Sequence, residues 1–431
     1  MAHTETLTLR RFIAKSEEKT YPEVPFAVGD DVERIEVRYA YARPDGRTVV
    51  DIGLRSPERI VGWSGGARSS FFVGLDTATP GYLAGPLPPG EWRILLGAYR
   101  IPDEGCEVEI AVSIARTRPR WLKGDLHMHG VHSDGAYEIA DAIRVCKEKG
   151  LDFAAFTDHN NASQNLATLA ADDRLVLLPG VELTSYSGHA NLLGHLDALD
   201  DFRVRTPEQA AETLRRGREK GALVSLNHPF CPDCPWELGF DVPYDAIEVW
   251  NGPWRELNET AVRWWHDQLA AGRRVVAIGG SDTHAPHPLV AHGVPTTYVR
   301  ADAASKAAIL DAIRQGRVVL SFATDETFIE LTAGEAGIGD TLKTGEEAET
   351  ELGVTVRGAA GDVVRVWSDR GLEAEWTAER EDARILRLPA DRLFYRAESY
   401  RYLPKWGRTI LSCLTNPIYL RGAGMNDEAM S

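Results

Sequence analysis

Histidines and acidic residues crowd one short stretch of the chain, residues 125–135, in a pattern suited to metal binding. His127 and His129 are two residues apart, so both imidazoles would point to the same face of a strand. His132 and the carboxylate of Asp134 follow within one short loop. Imidazole and carboxylate ligands together suit zinc, manganese or iron. The stretch therefore predicts one divalent cation at a strand end, with a place for a second in the loop.

Other residues of metal-binding type each follow a short apolar run that has the length of a buried strand. They are His159, Glu182, His228, Asp282 and His284. Ligands at the C-terminal ends of parallel strands are typical of a barrel active site. Glu182 is the natural bridge, because one carboxylate can hold two cations.

Every histidine except His3 lies between residues 127 and 292, whereas purely structural histidines would be spread along the chain. We prefer His189 to His195 as a further ligand, although both have the same strand parity. His132 is a weaker candidate, with an orienting role or a substrate contact as the alternatives. Asp125 and Asp158 are predicted to lie behind the ligands, where a carboxylate orients an imidazole. For Asp125, a structural role at the strand end is an equal alternative.

A lone Cys-x-x-Cys follows His228, at Cys231 and Cys234. Without a second pair it is a weak signal for zinc binding or redox chemistry. We interpret it as a loop that carries two thiols.

The chain of 431 residues is too long for one ordinary core, so two or three domains are expected. Residues 1–118 show short alternating runs between Gly/Pro turns and predict an N-terminal β-sandwich or jelly roll. Residues 119–324 form the site-bearing domain. Residues 325–424 return to short β patterns and predict a small β-rich module, and residues 425–431 predict a disordered tail.

Within residues 119–324, apolar strands alternate with amphipathic helices, for example over residues 136–149 and 207–220. Such alternation predicts an α/β fold with a parallel sheet. We expect a distorted (β/α)7 TIM-like barrel, because an open doubly wound sheet would not gather six strand ends around one point.

Charge and composition narrow the classes of partner. The net charge of −16 argues against a nucleic-acid polymer, but not against small phosphorylated substrates, because bound cations would invert the local field. No apolar run reaches the roughly 18 residues of a membrane span.

The N-terminus lacks the regions of a signal peptide, and the five cysteines are mostly scattered, so a reduced, cytoplasmic protein is expected. The sequence leaves the oligomeric state open.

The metal-type motifs resemble those of the PHP (polymerase and histidinol phosphatase) family of metal-dependent hydrolases. The matching stretches, in the family's order and spacing, are residues 125–129, 133–135, 157–159, 180–182, 227–229 and 280–284. The step Gly188-His189 and the run 246–251 are more similar to the carbaryl-hydrolase-like branch, whose members often carry added β domains. The chain departs from the commonest pattern at Gly130, where a serine or threonine often stands, and at Asp134, where some members use histidine.

The resemblance implies a centre of two or three divalent cations, with manganese or iron as plausible as zinc. One cation would take His127, His129, Glu182 and Asp282. A second would take Glu182, His189 and His228, and a third would take Asp134, His159 and His284. The leaving group would be protonated by His228, by His284 or by water.

Two cations that share a carboxylate lower the pKa of a bridging water, so hydroxide exists near neutral pH. We therefore expect a hydrolase, with a phosphodiesterase or phosphatase acting on a small phosphorylated molecule as the first hypothesis. The candidate substrate contacts are Asn227, Tyr186, Asn251, Arg255 and His287. Arg255 is favoured for phosphate, because a guanidinium matches phosphate oxygens.

Two alternatives stay open. The same hydroxide could hydrolyse a carbamate, amide or ester, in which case Trp250, Trp254, Tyr186 and Phe230 would line an apolar pocket. The chain could also be an inactive, metal-stabilised binding module.

Overall fold

A computed structural model describes residues 4–42, 46–168, 175–345 and 348–421. The chain divides into two compact units. The N-terminal unit comprises Met1–Pro119 and Asp302–Ser305, and the site-bearing unit comprises Arg120–Ala301 and Lys306–Ser431. The predicted disordered tail, residues 425–431, lies outside the described residues.

The N-terminal unit is built from two four-stranded antiparallel sheets, in the orders β1-β8-β3-β6 and β2-β7-β4-β5. Alternate residues along the strands are buried, as in Val108, Ile110 and Val112 of β8, and the buried residues of both sheets form one apolar core. A β-rich N-terminal region is thus confirmed. Its strands are β1 Thr4–Ile13, β2 Glu23–Val28, β3 Val32–Tyr41, β4 Val49–Arg55, β5 Ile60–Gly65, β6 Ser70–Gly74, β7 Gly90–Arg100 and β8 Cys106–Arg116.

The site-bearing unit combines many strands with five α-helices among its described residues. The strands are β9 Arg120–Met128, β10 Phe153–Phe156, β11 Val176–Leu178, β12 Gly180–Ser185, β13 Gly188–Leu193, β14 Leu223–Asn227, β15 Ala246–Asn251, β16 Val276–Gly280, β17 Thr296–Ala301, β18 Val318–Ser321, β19 Phe328–Ala333, β20 Ala336–Gly337, β21 Thr341–Lys343, β22 Glu349–Arg357, β23 Val363–Ser368, β24 Gly371–Thr377, β25 Glu381–Pro389, β26 Phe394–Leu403, β27 Arg408–Thr415 and β28 Ile418–Arg421. The helices are α1 Ile139–Glu148, α2 Ser163–Thr168, α3 Pro207–Glu219, α4 Glu256–Ala270 and α5 Lys306–Arg314. None of these helices is long and apolar enough to cross a bilayer.

Two sheets of this unit carry the candidate site. One contains the parallel strands β11, β10 and β9, and the other has the order β12-β13-β14-β15-β16. Isolated parallel bridges join the two sheets, from Met128 at the end of β9 to Thr283 after β16, and from His159 after β10 to Glu182 within β12. The bridges bring the C-terminal ends of β9, β10 and β16 beside β12.

The structure departs from the predicted regular alternation of strands and helices. Strand β13 is antiparallel to both β12 and β14, and β17 is antiparallel to β9. The connection from Ser185 to Gly188 is a tight turn, with Gly188 at φ 136°, whereas a parallel crossover needs a dozen or more residues. The unit is therefore a mostly-sheet α/β structure. A TIM-like barrel is not shown, and a closed (β/α)7 ring stays a prediction.

Helix α1 also begins later than predicted, at Ile139 rather than at residue 136. The amide of Ala136 donates to the carbonyl of His284, and the amide of Val131 donates to the carbonyl of Tyr137. These bonds hold residues 131–137 as a loop over the strand ends. The helical spacing of apolar residues could not reveal that these amides bond carbonyls outside the helix.

The region predicted as a C-terminal module continues the sheet of the site. Strand β9 is followed across the sheet by β17, β18, β27, β26, β23 and β24. The buried side chain of Asn416 adds a second connection. Its Oδ1 accepts the Ala277 amide at 2.9 Å, and its Nδ2 donates to the Ala277 carbonyl at 2.8 Å. Asn416 thus occupies the place of a neighbouring strand beside β16.

Asn416→Ala is expected to lower the free energy of unfolding by about 1–3 kcal/mol, because the buried amide of Ala277 would lose its partner. The midpoint of urea unfolding measures the change. Thr409→Ala, at an exposed position of β27, should leave the midpoint nearly unchanged. Equal midpoints for the two variants would show that the Asn416 bridge adds no stability.

Candidate metal centre

The carboxylate of Glu182 lies fully buried at the middle of a group of imidazoles. Its Oε1 is 3.2 Å from His127 Nε2, 3.4 Å from His189 Nδ1 and 3.7 Å from His228 Nε2. Its Oε2 is 2.7 Å from His159 Nδ1 and 3.6 Å from His129 Nε2. Each carboxylate oxygen therefore faces a different set of rings, as a bridging role requires.

His127, His129 and Asp282 form one group whose ligand atoms lie within 4.8 Å of one another. Asp282 Oδ1 is 3.3 Å from His127 Nε2 and 3.1 Å from His129 Nε2. His127 lies near the end of β9 and His129 follows it, so the two-residue spacing turns both rings inward. With Glu182 beside them, the structure brings together the set predicted for the first cation.

A second group contains His129, Asp134, His159 and His284. Asp134 Oδ1 is 3.4 Å from Nε2 of both His159 and His284. This group matches the predicted third set, with His129 as an additional member. The side chain of Asp134 is 63% exposed, so this part of the centre opens to solvent.

His228 belongs to two further groups, one with His127 and Glu182 and one with His189 and Cys234. His189 enters this group because β13 runs antiparallel, which places its N-terminal end beside the C-terminal end of β14. His195, the alternative ligand, lies in none of the metal-type groups found among the described residues. It lines a cavity of about 360 Å³ against α3 instead.

The backbone is strained where two of these side chains enter the centre. His228 has φ 29° and Asp282 has φ 52°, in a region that residues with a side chain rarely adopt. The surrounding strands must hold both residues in this conformation at a cost of about 1–3 kcal/mol each. Such strain is concentrated at functional sites, so it independently marks these two positions.

Gly280 permits the close approach of β16 to β9. A Cβ atom at this position would lie 2.3 Å from His127 Cβ and 2.8 Å from Glu248 Oε1. No larger residue could occupy the position without displacing His127. Glycine is therefore required where the two site-bearing sheets meet.

The carboxylates and imidazoles of the centre shift each other's pKa values. Burial alone would raise the pKa of Glu182, but the imidazoles around it, His127 foremost, hold that pKa well below its usual value. Burial opposes a charge on His127, yet Asp282, Glu248 and Glu182 hold the pKa of its imidazole well above the ordinary value. A bound cation would displace such protons, so cation affinity should increase with pH.

Glu248, in the middle of β15, is a functional residue that the sequence analysis missed. Its Oε1 accepts the Nδ1 hydrogen of His127 at 3.0 Å, and its Oε2 accepts the amide of His228 at 2.9 Å. The carboxylate thus orients one candidate ligand through its ring and another through its backbone. The sequence feature that could have revealed Glu248 is that it is the single acidic residue within the apolar run 246–250.

The two acids predicted to orient imidazoles contact other groups. Asp125 accepts the amides of Ser281 at 3.0 Å and Gly293 at 2.7 Å, which corresponds to its structural alternative. Asp158 Oδ1 accepts the amide of Gly130 and the hydroxyl of Ser133, and so shapes the loop that carries Asp134. Among the described side-chain bonds, neither carboxylate contacts an imidazole. Amides take both oxygens of Asp125, whereas Oδ2 of Asp158 is buried without a partner in the described part of the chain.

The predicted substrate contacts divide into two sets. Asn227 is buried and donates its amide to Glu182 Oε1 at 2.8 Å, so it orients the central carboxylate rather than a substrate. Asn251 donates to Asp282 Oδ2 and accepts from the exposed guanidinium of Arg255. These contacts place Arg255 next to the centre.

Tyr186 lies fully exposed in the turn between β12 and β13. His287 Nδ1 accepts two amides of its own loop, and His132 Nδ1 lies 2.8 Å from Ser163 Oγ. These contacts indicate that His287 and His132 stabilise the loops in which they lie. Neither belongs to a metal-type group of the described residues.

The aromatic residues considered for an apolar pocket are mostly packed together. Trp250 and Trp254 are buried and meet edge to face at 5.0 Å, and Phe230 packs against Phe240 and Trp264. Core packing accounts for Trp250, whereas Trp254 also lines a separate cavity of about 410 Å³.

The donor set suits divalent cations. Nε2 of His127 lies 3.1 Å from Nε2 of His129, so two ring nitrogens face each other beside two carboxylates. Among the described residues, His189 Nδ1 is buried and has no hydrogen-bond partner, although it faces Glu182. Buried polar atoms are normally paired, and a shared cation would satisfy these nitrogens. The mixture of imidazoles and carboxylates is compatible with zinc, manganese and iron.

Asp134→Ala should empty one cation position selectively, because Asp134 contacts only the group of His159 and His284. We expect metal content to fall by about one equivalent per chain, with the other positions retained. Elemental analysis after dialysis measures the stoichiometry. Asp141→Ala, which removes an exposed carboxylate of α1, provides the control. An unchanged stoichiometry would mean that Asp134 is not a ligand.

Comparison with known proteins places a PHP domain in the site-bearing unit. Residues 125–220 match the PHP domain family. An uncharacterized protein of Methanocaldococcus jannaschii is 29% identical over 151 residues, which are 31% of this chain and 85% of that protein. The DNA polymerase/3'-5' exonuclease PolX of Bacillus subtilis is 36% identical over 92 residues, 20% of this chain but only 16% of PolX.

Among solved structures, a two-domain protein from Bacteroides vulgatus, described as containing a predicted PHP-like metal-dependent phosphoesterase, is similar with a TM-score of 0.40. It shares 18% sequence identity, and the likeness covers 69% of this chain and 96% of that one. The PHP domain itself is established by the match over residues 125–220.

Proposed function

From a PHP domain whose imidazoles and carboxylates converge on Glu182, we propose a metal-dependent hydrolase that acts on phosphoesters. The observation that carries this proposal is the contact of one buried carboxylate with rings from both site-bearing sheets, His127 from one and His189 from the other. Two or three cations of manganese, zinc or iron would be held by the three predicted sets. When bound, such cations supply acidic water and stabilise negative charge on a phosphoryl oxygen.

The residues around Glu182 keep the centre in one geometry. Asn227 fixes one oxygen of Glu182, and Thr184 lies within 3.3 Å of the other. Glu248 fixes His127 on the opposite side. Because none of these partners has to move, the site would be organised before the substrate arrives.

His228 and His284 are poorly suited to protonate the leaving group. His228 directs Nε2 to Glu182 and Nδ1 to Cys234, while His284 directs Nε2 to Asp134 and Nδ1 to the Asp282 carbonyl. Each ring therefore has both nitrogens engaged within the centre. We propose that the leaving group takes its proton from water instead.

Arg255 favours a phosphoryl over an acyl substrate. Its guanidinium is held beside the centre by Asn251, which also bonds Asp282. A guanidinium can form two parallel hydrogen bonds with phosphate oxygens. With the net charge of −16, this arrangement suits a small phosphorylated molecule better than a nucleic-acid polymer. Membership of the carbaryl-hydrolase-like branch stays a prediction.

The test of the proposed function compares bis-nitrophenyl phosphate with a nitrophenyl ester and a nitrophenyl carbamate. Purified protein would be stripped of metal and reloaded with manganese or zinc. We expect turnover of the phosphodiester only after reloading. Turnover of the acyl substrates alone would overturn phosphoester hydrolysis in favour of acyl hydrolysis, and silence on all three would favour a binding module.

Arg255→Ala should raise KM for the phosphodiester about 10–100-fold, because loss of a charge-assisted hydrogen bond costs about 1.5–3 kcal/mol. Steady-state kinetics measure KM. Arg144→Ala, on the exposed face of α1, removes the same charge from another surface and should leave KM unchanged. An unaltered KM in Arg255→Ala would remove Arg255 from the binding site.

A further inference from the structure

The thiol of Cys234 touches the metal centre from outside. Its Sγ lies 3.6 Å from Nδ1 of His228, while Nε2 of the same ring faces Glu182 Oε1 at 3.7 Å. The imidazole thus spans from the central carboxylate to the sulfur. The Cys-x-x-Cys motif had no role in the function inferred from the sequence.

The loop after β14 holds Cys234 in this place. The amide of Cys231 donates to the His228 carbonyl at 2.8 Å, and the amide of Trp236 donates to the Pro229 carbonyl at 3.0 Å. The indole of Trp236 is anchored in turn to the Gly239 carbonyl. These bonds fold the chain back on itself, so the sulfur returns to the ring six residues before it.

Two other rings of the centre show the same arrangement with oxygen in place of sulfur. Nδ1 of His127 donates to Glu248, and Nδ1 of His284 donates to the Asp282 carbonyl. In both rings Nε2 is the nitrogen that faces the centre. The partner of the outer nitrogen of a ligating histidine fixes the tautomer and the ring orientation.

The chemistry of a neutral imidazole determines which atom must be the donor. A nitrogen that binds a cation carries no hydrogen, so Nδ1 of His228 must carry it. The sulfur of Cys234 then has to accept. If the thiol donated to Nδ1 instead, the hydrogen would lie on Nε2 and would block the cation.

We propose that Cys234 is the positioning residue of His228, a sulfur acceptor that holds the ring in its cation-binding tautomer. The inference rests on the cation centre of the proposed function and extends it to a residue outside the predicted ligand set. Cys231, the other thiol of the motif, bonds the thiol of Cys234 and is therefore not independent of it. Cys106, a thiol of β8 in the N-terminal unit, provides the matched control.

Cation affinity, measured by competition with a coloured chelator, tests the proposal. Cys234→Ala should weaken the binding of zinc or manganese about 10–100-fold, as expected when the outer partner of a ligating histidine is lost. Cys234→Ser, which restores an acceptor, should recover most of the affinity. Cys106→Ala, which removes a thiol of the N-terminal unit, should bind as the unaltered protein does.

Unchanged affinity in Cys234→Ala would overturn the proposal, as would equal losses in the alanine and serine variants. If Cys234→Ala does not fold, Cys234→Val fills the space without an acceptor and is judged by the same criteria. A thiolate-to-metal absorption band in the cobalt-loaded protein, lost in Cys234→Ser, would also overturn it, because the sulfur would then bind the cation directly.

The assays separate this proposal from the proposed function. Normal phosphodiester turnover with unchanged affinity in Cys234→Ala would reject only the role of Cys234. A weakened affinity in that variant, in a protein that hydrolyses none of the chromogenic substrates, would reject only the hydrolase.

Discussion

Glu182→Gln is expected to abolish hydrolysis and to lower metal content in the same preparation. Glutamine preserves the size of the side chain but removes its charge and replaces one carboxylate oxygen with an amide nitrogen. The surrounding rings, including His127 on one oxygen and His159 on the other, would then share a neutral group that presents a donor to one of them. Both cation positions that share Glu182 should weaken together.

The loss of activity should exceed about 100-fold, the upper end of the effect of removing an outer partner of a metal ligand. Metal-dependent turnover of bis-nitrophenyl phosphate and elemental analysis should be measured on the same sample. Glu148→Gln, an exposed position at the end of α1, provides the control for the chemical change. Retained activity with full metal content would refute the bridging role of Glu182.

Glu248→Gln should have the second largest effect, a reduction of about 10–100-fold in cation affinity. The carboxylate accepts three hydrogens, from the ring of His127, the amide of His228 and the side chain of Asn251. A glutamine amide can accept at one end only and would set its NH₂ group against at least one donor. The ring of His127, or the strained backbone of His228, would have to move.

Chelator competition measures the affinity of Glu248→Gln, with Glu148→Gln again as the control. Circular dichroism should show that the fold is retained, because glutamine has nearly the size of the glutamate that it replaces in β15. If the affinity of Glu248→Gln equals that of the control, the orientation of His127 does not depend on Glu248.

Several candidate ligands, among them His159, His228 and Asp282, were accessible to sequence analysis because each follows a strand, where a polar side chain contrasts with the apolar run before it. His127 and His129 in particular needed only the two-residue period of a strand. Glu248 escaped detection because it lies inside β15, where its partners come from β9 and from the residue after β14. Such contacts depend on the order of strands across the sheet, which cannot be read from the spacing of residues along the chain.

The same distinction applies to the fold. The alternating runs predicted strands such as β3 and β8, because burial on one face has a local period. The direction of β13 was not predictable from its own residues. It follows from the short turn before it and from the packing of Gly188 against Trp236, which is distant in the sequence.

The continuous sheet from β9 to β24 has a consequence for how this protein can be shortened. A chain that ended near residue 324 would leave β18 without its neighbour β27, to which Val319, Leu320 and Ser321 are paired. The four residues of β18 are all buried, so the truncation would expose an apolar strand edge. Exposed edges of this kind recruit strands from other molecules and lead to aggregation. We therefore expect a fragment that ends near residue 324 to aggregate, and a soluble PHP domain of this chain to require its last strands.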